Sequence, residues 1–243
     1  MHADLSGKRA LITGASGGLG RHFAEVLAAN GAEVLLAARR TEALADAVRE
    51  IGDQAQAIAL DVLEPASVEA AFAQVGQVDI LVNNAGVTMT KRALEVEDPE
   101  WDRILDTNLT GAWRVARAAA GAMSDGGSLI NIASILGLRV SGGVLPYSVS
   151  KAGVVQMTKA LALEWARLGI RVNALAPGYI ETDINRGFFE TEAGQALIKR
   201  IPQRRLGRMR DLDGPLLLLA SDASRFMTGT VVEVDGGHLI SGL

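Results

Sequence analysis

The sequence contains no cysteine and only three histidines, His2, His22 and His238, which lie far apart. Without cysteine the chain can form no disulfide or thiolate metal site, and it offers no cysteine nucleophile. The histidines do not have the spacing of a metal-binding motif. We therefore expect no metal and a chemistry that does not use thiols.

Long apolar runs and a strong charge imbalance are also absent. The densest apolar stretch, Leu216 to Ala220, is far shorter than the ~18 residues of a transmembrane helix. The apolar run after Lys8 and Arg9 is shorter than the roughly 7–15 residues of a signal-peptide core. The net charge of −4 gives no electrostatic basis for nucleic-acid binding. We expect a soluble, cytoplasmic protein with no membrane or nucleic-acid partner.

Short apolar runs alternate along the chain with longer segments of helical period, which predicts βαβ units. Because the apolar runs are continuous, both faces of the sheet should be covered by helices. We predict an α/β fold of the Rossmann type, with a doubly wound, seven-stranded parallel sheet in a single domain over residues 1–243. The predicted strands are Arg9–Thr13, Glu33–Ala38, Gln56–Leu60, Val78–Val82, Ser128–Ala133, Ile170–Ala174 and Val231–Val234. The predicted helices are Leu19–Ala29, Glu42–Ile51, Ser67–Val75, Trp101–Ala122, Ser148–Leu168 and Asp211–Ala220.

Residues 183–210 interrupt this rhythm and combine a phenylalanine pair, Phe188 and Phe189, with many basic side chains. The basic residues are Lys199, Arg200, Arg204, Arg205, Arg208 and Arg210. One interpretation is a substrate lid, because inserted segments beside a site often gate it. The other is a solvated helix face with both aromatic rings in the core.

A glycine cluster, Gly14, Gly18 and Gly20, lies directly after the first predicted strand and at the start of the first helix. Glycine permits positive φ in such a turn and lets the backbone approach a diphosphate closely. The helix N-terminus presents free N–H groups and a partial positive charge. The turn therefore predicts a dinucleotide phosphate site; a glycine turn without a ligand is the alternative.

The second predicted strand is followed by Arg39 and Arg40, where NAD-specific sites commonly place an acidic residue against the ribose 2′-hydroxyl. Two guanidinium groups suit a 2′-phosphate instead, because arginine offers it a fork of donors. This favours NADP(H), with NAD(H) as the alternative cofactor. The arginines would otherwise be an exposed flank of the next helix.

Tyr147 and Lys151 are four residues apart on a predicted helix, so their side chains lie on one face. An ammonium about 4 Å from a phenolate contributes roughly 4 kcal/mol at an effective dielectric near 20, about three pKa units. We therefore predict a Tyr147 pKa shifted from about 10 towards neutrality. The phenol would exchange a proton with a carbonyl or alcohol oxygen, to which Ser134 would also donate a hydrogen bond.

These motifs, together with Asn83-Asn84-Ala85-Gly86, Asn108 and Pro177-Gly178, resemble those of the classical short-chain dehydrogenase/reductase family over almost the whole chain. The resemblance implies that Asn108 joins the catalytic set and holds a water linked to Lys151. It also implies cofactor contacts by Asp61 to adenine, Asn84 to ribose, Thr182 to the carboxamide and Val62 through its backbone, and a homotetramer. The further implied cofactor-binding positions are Gly14, Ser16, Gly17, Gly18, Leu19, Gly20, Ala85, Gly86, Tyr147, Lys151, Pro177, Gly178 and Ile180.

Mostly apolar residues surround the catalytic pair, which predicts substrate contacts by Leu136 and Phe188 besides Ser134 and Tyr147. The expected activity is hydride transfer between nicotinamide and a hydrophobic ketone or secondary alcohol, as in a carbonyl reductase. A 3-oxoacyl-carrier-protein reductase, which shares these motifs, is the alternative. A dinucleotide sensor without turnover is less favoured, because a sensor needs no proton donor.

Overall fold

The computed structural model of the chain describes residues 3–182 and 185–241. Its strands are β1 (Arg9–Thr13), β2 (Glu33–Ala38), β3 (Ala55–Ala59), β4 (Ile80–Asn83), β5 (Gly127–Ile132), β6 (Ile170–Pro177) and β7 (Val231–Val234). They form one sheet in the order β3-β2-β1-β4-β5-β6-β7, and every neighbouring pair is parallel. The predicted fold class is confirmed.

Helices connect successive strands. They are α1 (Gly18–Ala28), α2 (Ala45–Ile51), α3 (Pro65–Val75), α4 (Asp98–Leu105), α5 (Gly111–Ala122), α6 (Leu145–Trp165), α7 (Arg186–Phe189), α8 (Glu192–Ile198) and α9 (Asp213–Ala220). In the described part of the chain, no helix has both the length and the apolar character needed to cross a bilayer.

Two apolar cores lie on opposite faces of the sheet, because successive strand residues point to opposite sides. Ile12 of β1 packs on the face covered by α1 and α9, where Phe23 and Leu216 are fully buried. Leu11, the preceding residue, packs on the face covered by α3, α5 and α6, with Val115 in the same cluster. Both faces are thus covered, which explains why the strands are apolar throughout.

The predicted helix Trp101–Ala122 is helical throughout, but it is not α-helical throughout. It divides into α4 and α5, with a π-helical turn at Asp106–Thr110 between them. Helical periodicity does not distinguish these cases, because a π-turn inserts a residue without ending the helix.

Residues 183–210 contain α7 and α8, which were not predicted, while residues 183 and 184 lie outside the described part of the chain. The two phenylalanines differ: Phe188 is 49% exposed, whereas Phe189 is buried with its ring centroid 6.0 Å from that of Tyr179. Beyond β6, a β-bridge joins Ile180 to Gly207. Both ends of the segment are therefore tied beside the carboxyl end of β6.

Candidate active site

The carboxyl ends of the parallel strands meet at one edge of the sheet, and chain order reverses there between β1 and β4. In open α/β sheets, ligands bind at this kind of switch point. The loops after β1, β4, β5 and β6 carry the glycine turn, Asn84, Ser134 and Gly178 respectively. The fold therefore brings most of the predicted site residues to one edge.

The turn between β1 and α1 requires glycine at specific positions. Gly14 and Gly18 have φ values of 66° and 53°, a region that side chains with a Cβ rarely adopt. A Cβ on Gly20 would lie 2.3 Å from the carbonyl oxygen of Gly14. These glycines let α1 begin directly against the end of β1.

The outer surface of the same turn is open. A Cβ on Gly17 or Gly18 would meet no atom within 4 Å, and Ser16 is exposed. Leu19 instead packs against the core and anchors the start of α1. The free N–H groups of the first helical turn face no acidic side chain of that turn, so this surface fits a diphosphate.

Thr13 was not among the predicted site residues, although it connects two parts of the cofactor edge. Its Oγ1 accepts hydrogen bonds from the backbone N–H groups of Asn84 (2.9 Å) and Ala85 (3.0 Å). The Asn84 Nδ2 donates to the Thr13 carbonyl at 3.0 Å. The Asn84 amide therefore holds the glycine turn against the loop after β4; its predicted ribose contact stays a prediction.

The residues predicted to bind the adenosine end lie beyond β2 and β3. Arg39 and Arg40 directly follow β2 and are exposed, with room for a 2′-phosphate. Asp61 Oδ1 accepts from the Leu63 N–H at 3.0 Å, which fixes a short turn beyond β3. Val62 is buried against α5. This group fits the adenosine half of NADP(H).

The loop after β4 places Gly86 beside the predicted proton path. A Cβ on Gly86 would lie 3.2 Å from Asn108 Oδ1 and 3.7 Å from Lys151 Nζ. Ala85, the residue before it, is partly buried and packs against the core between α3 and α5. The close approach of the backbone to both side chains explains why glycine occupies this position.

Ser134, Tyr147 and Lys151 lie together between β5 and α6. The side chain of Ser134 lies close enough to Tyr147 to affect the pKa of the phenol, and Ser134 Oγ accepts from the Leu136 N–H at 3.1 Å. The Lys151 Nζ lies 5.7 Å from the Tyr147 ring centroid and donates to the Ile132 carbonyl at 2.7 Å. The structure thus places an acid, a hydrogen-bond donor and a cation together.

The predicted fall in the pKa of Tyr147 is wrong for the chain as described. Burial raises the pKa of this phenol, and the hydrogen bond from Ser134 only partly opposes that rise. The lysine is itself buried, and desolvation lowers the pKa of Lys151 to about 8. The prediction assumed an ammonium about 4 Å from the phenolate at an effective dielectric near 20, whereas both groups are desolvated and the ammonium donates to Ile132.

Asn108 lies in the π-helical turn and is fully buried. Its Oδ1 accepts from the Val87 N–H (2.7 Å), while its Nδ2 donates to the Val87 carbonyl (2.8 Å) and to Ser150 Oγ (3.0 Å). Ser150, a second residue that sequence reasoning missed, donates onward to the Tyr147 carbonyl at 2.8 Å. Asn108 therefore connects the loop after β4 to the catalytic turn of α6.

The loop after β6 supplies the remaining predicted cofactor residues. Pro177 ends β6, and the Gly178 N–H donates to Val234 of β7 at 2.9 Å. Asn185, also missed, fixes the rest of the loop: its Oδ1 accepts from the Thr182 N–H at 2.9 Å, and its Nδ2 donates to the Ile180 carbonyl at 2.8 Å. Thr182 is thereby held at the carboxyl edge of the sheet.

The predicted substrate residues occupy different surroundings. Leu136 follows Ser134 by two residues and lines a cleft that opens beside the catalytic group. Phe188 does not line it; its ring contacts Phe189, with the centroids 5.2 Å apart. The structure brings Leu136, Ser134 and Tyr147 together. Phe188 lies outside the cleft lining, and the rings of Phe189 and Tyr179 connect it to His238.

Comparisons with known proteins agree with this geometry. Residues 14–238 match the family model described as Enoyl-(Acyl carrier protein) reductase. The 3-oxoacyl-[acyl-carrier-protein] reductase FabG of Escherichia coli (strain K12) is 39% identical over 241 residues, covering 96% of this chain and 98% of that protein. A short-chain type dehydrogenase/reductase from Mycobacterium marinum has a TM-score of 0.90 at 42% identity, covering 97% of this chain and 96% of the other.

A gluconate 5-dehydrogenase from Burkholderia cenocepacia J2315, solved in complex with NADP and tartrate, has a TM-score of 0.92 and 39% identity, covering 98% of this chain and 97% of the other. The chain belongs to the short-chain dehydrogenase/reductase family, and it is an oxidoreductase of that family. The predicted family is confirmed, and the predicted cofactor agrees with the NADP of this relative.

Proposed function

We propose that the enzyme transfers a hydride between NADP(H) and a ketone or secondary alcohol. The observation that carries this proposal is the grouping of Ser134, Tyr147 and Lys151 at the same sheet edge as the glycine turn. NADP(H), when bound, supplies or accepts the hydride. The turn from Gly14 to Gly20 would hold its diphosphate, and Arg39 and Arg40 its 2′-phosphate.

In the direction of reduction, Tyr147 donates its proton to the carbonyl oxygen of the substrate. Because the pKa of Tyr147 lies above the ordinary value for tyrosine, the phenol carries its proton at neutral pH and has one to donate. Ser134 donates a hydrogen bond to the same oxygen as negative charge develops on it. Lys151 lies beneath the tyrosine, and its pKa of about 8 lets it exchange a proton near neutral pH.

The substrate in this proposal is a free small molecule, and the activity is that of a carbonyl reductase. Ile135 and Leu136 provide apolar contacts beside Ser134, which suits a substrate with hydrophobic carbons next to the reacting carbonyl. The whole chain from residue 1 to 243 would act as one dinucleotide-binding and catalytic domain, with residues 183–210 as its lid.

Reduction of a carrier-bound 3-oxoacyl group is the second candidate, favoured by the 39% identity to E. coli FabG over 96% of this chain. Turnover of free ketones and of the same acyl group on acyl carrier protein should be compared at equal concentration. A strong preference for the carrier-bound form would replace the first candidate by the second.

The proposal includes a homotetramer, supported by apolar side chains exposed on α5 and α6, among them Trp113 and Leu163. A cytoplasmic location, predicted from the sequence, also stays a prediction. Cell fractionation with activity assays of each fraction checks the location.

The test of the catalytic assignment is Tyr147→Phe. This variant keeps the ring but loses the proton, so kcat should fall by at least about 100-fold, as general acids typically contribute 10²–10⁴-fold. NADPH binding, measured by fluorescence titration, should stay within about twofold. The matched control is Ser148→Ala on the adjacent residue, whose buried hydroxyl has no partner in the described structure. Turnover by Tyr147→Phe equal to that of the control would contradict the assignment.

A further inference from the structure

A cleft of about 810 Å³ opens beside the catalytic group, a volume typical of small-molecule sites. Ile135 and Leu136, which directly follow Ser134 in the chain, line the cleft together with Tyr179. The charged wall of the cleft differs from these residues. Its charged or titratable members are Arg139, Lys199, Arg200, Arg204 and His238, and among the described residues no carboxylate lines the cleft.

Among the described residues, the positive charges of this wall form no salt bridge with a carboxylate. Across residues 3–182 and 185–241, no aspartate or glutamate forms a salt bridge with Arg139, Lys199, Arg200 or Arg204. Other exposed arginines are paired, such as Arg205 with Asp211 at 2.6 Å. Four uncompensated cations along one cleft create a positive potential that favours an anion.

Arg139 connects the charged wall to the catalytic side. Its guanidinium donates to the carbonyl of His238 and to Ser241 Oγ, which fixes it across the cleft. Its charge opposes the rise that burial causes in the pKa of Tyr179. Tyr179 in turn contributes to the raised pKa of Tyr147. The charge of Arg139 thus acts on Tyr179, and Tyr179 acts on the proton donor.

Two of these cations, Arg139 and Arg200, act on His238, which lines the same cleft. Burial lowers the pKa of His238, Arg139 and Arg200 lower it further, and Asp235 opposes them. Its Nδ1 is buried without a hydrogen-bond partner in the described structure. The imidazole is thus held mainly neutral beside two guanidinium groups and adds polar capacity to the cleft wall.

The backbone of Arg204 also departs from ordinary geometry. Its φ of 55° is the only positive value among the described residues other than glycine. Its guanidinium donates to the carbonyl of Lys199, so this strained residue and Lys199 are held together at the rim. Sparsely populated backbone conformations of this kind cluster at ligand sites.

We propose that this cleft binds an oxyanion of the substrate, a carboxylate or a phosphate, at the end remote from the carbonyl that Tyr147 protonates. The proposal rests on the proposed function and names its substrate class: an oxo compound, or the matching alcohol, with an anionic group beyond an apolar segment. Ile135 and Leu136 would contact the apolar carbons, and Arg139 and Arg200 the oxyanion. Arginine suits this role because its planar fork pairs with two oxygens at once.

The experiment compares anionic and neutral substrates that are otherwise matched. The probes are 4-oxopentanoate and 5-oxohexanoate, each against its methyl ester, with acetoacetyl-coenzyme A as the phosphate-bearing probe. The variant is Lys199→Gln/Arg200→Gln, because neither side chain has a hydrogen-bond partner in the described structure. The control is Arg167→Gln, which removes an exposed charge after α6, at the opposite edge of the sheet.

The wild-type enzyme should prefer at least one acid over its ester by about tenfold or more in kcat/KM, mainly through KM, as a charge-assisted contact implies. The double variant should lose this preference while keeping its ester activity, and Arg167→Gln should retain it. A higher kcat/KM for acetoacetyl-coenzyme A than for the neutral methyl esters, if the double variant loses it, also supports the site. It identifies the oxyanion as phosphate.

Two results separate the possible failures. Equal wild-type turnover of acids and esters, with no preference for acetoacetyl-coenzyme A, overturns the anion site but leaves the proposed ketone reduction standing. A preference that persists in the double variant also overturns the site. If enzyme that binds NADPH turns over no ketone or alcohol in a broad panel, the proposed function itself fails.

Discussion

The cationic side chain of Lys151 is buried away from water, and only 5% of the residue's surface is exposed. Desolvation lowers the pKa of Lys151 from 10.5 to about 8, and its Nζ donates to the Ile132 carbonyl. Below pH 8 the native state therefore carries a buried charge at a cost of about 3 kcal/mol, from 1.36 kcal/mol per pKa unit. Between pH 8 and 10.5 the unfolded chain binds more protons than the native state, so stability rises with pH in that window.

Lys151→Met should remove this cost at the expense of the lysine's hydrogen bond, which is worth about 1 kcal/mol. We expect the variant to be more stable than the wild type by about 1–2 kcal/mol at pH 7, and the difference to shrink at pH 10. Urea unfolding at both pH values measures this. Lys159→Met, on an exposed position of α6, is the control and should show no such change with pH. A Lys151→Met variant whose stability difference is the same at both pH values would contradict the prediction.

Arg39 and Arg40 directly follow β2, and both are exposed to solvent. Arg39→Gln/Arg40→Gln should raise the KM for NADPH by about 10-fold or more, because charged hydrogen bonds contribute roughly 1.5–3 kcal/mol each. The KM for NADH, which lacks the 2′-phosphate, should change by less than about twofold, since it makes none of those contacts. Initial rates with both cofactors measure this, and Arg49→Gln on α2 is the control. An equal loss with both cofactors would show that the arginines do not bind the 2′-phosphate.

The positions of Gly14, Ser134 and Gly178 at one edge of the sheet were predictable, because each follows the end of a predicted strand. What the sequence could not supply was the environment of each group. The lowered pKa predicted for Tyr147 failed because it depended on burial and on where the Lys151 ammonium points. Thr13 and Asn185 were missed for the same reason, since their roles arise from contacts across loops.

At the scale of elements, the π-helical turn Asp106–Thr110 decides where Asn108 lies. It inserts this side chain between the loop after β4 and the start of α6, where it makes three hydrogen bonds. π-Turns are rare in proteins as a whole, but they are often found at functional sites, because they redirect one side chain without ending the helix. The sequence indicated helix on both sides of Asn108 but carried no periodic sign of the inserted residue.

Replacing Asn108 by Ala should lower the free energy of unfolding by about 2–4 kcal/mol, since buried partners on Val87 and Ser150 lose their hydrogen bonds. Urea denaturation measures the change. Thr107→Ala, next to it on the same turn, removes only a bond to the Arg103 carbonyl and should cost less than about 1 kcal/mol. If the two variants lose the same stability, Asn108 does not hold this junction together.

At the scale of the whole molecule, the sheet was predictable because the apolar runs are short, continuous and separated by helical segments. The helices of residues 183–210 could not be predicted in the same way, because this segment packs locally and carries many charged side chains. The short α7 and α8 are held by contacts such as the Phe189 ring on Tyr179 and the Thr191 Oγ1 that caps α8. Neither contact leaves a periodic pattern in the sequence.

Large apolar side chains are exposed on the outer surface formed by α5 and α6. Leu163 is 83% exposed, and Trp113 stacks on Trp165 with the ring centroids 6.4 Å apart and Arg117 over its face. Adjoining exposed apolar groups of this kind mark protein interfaces. A homotetramer, implied by the family resemblance, would cover them.

Leu163→Glu should therefore break the assembly, because a carboxylate buried in an apolar contact has no partner. Multi-angle light scattering should give the wild type a mass four times the 25.5 kDa of one chain, and the variant a smaller mass. Gln54→Glu adds the same charge on the exposed turn before β3 and should leave the mass unchanged. Circular dichroism should show that Leu163→Glu remains folded, so that the smaller mass reports loss of the interface. A wild-type monomer, or a Leu163→Glu variant of unchanged mass, would place the contact elsewhere.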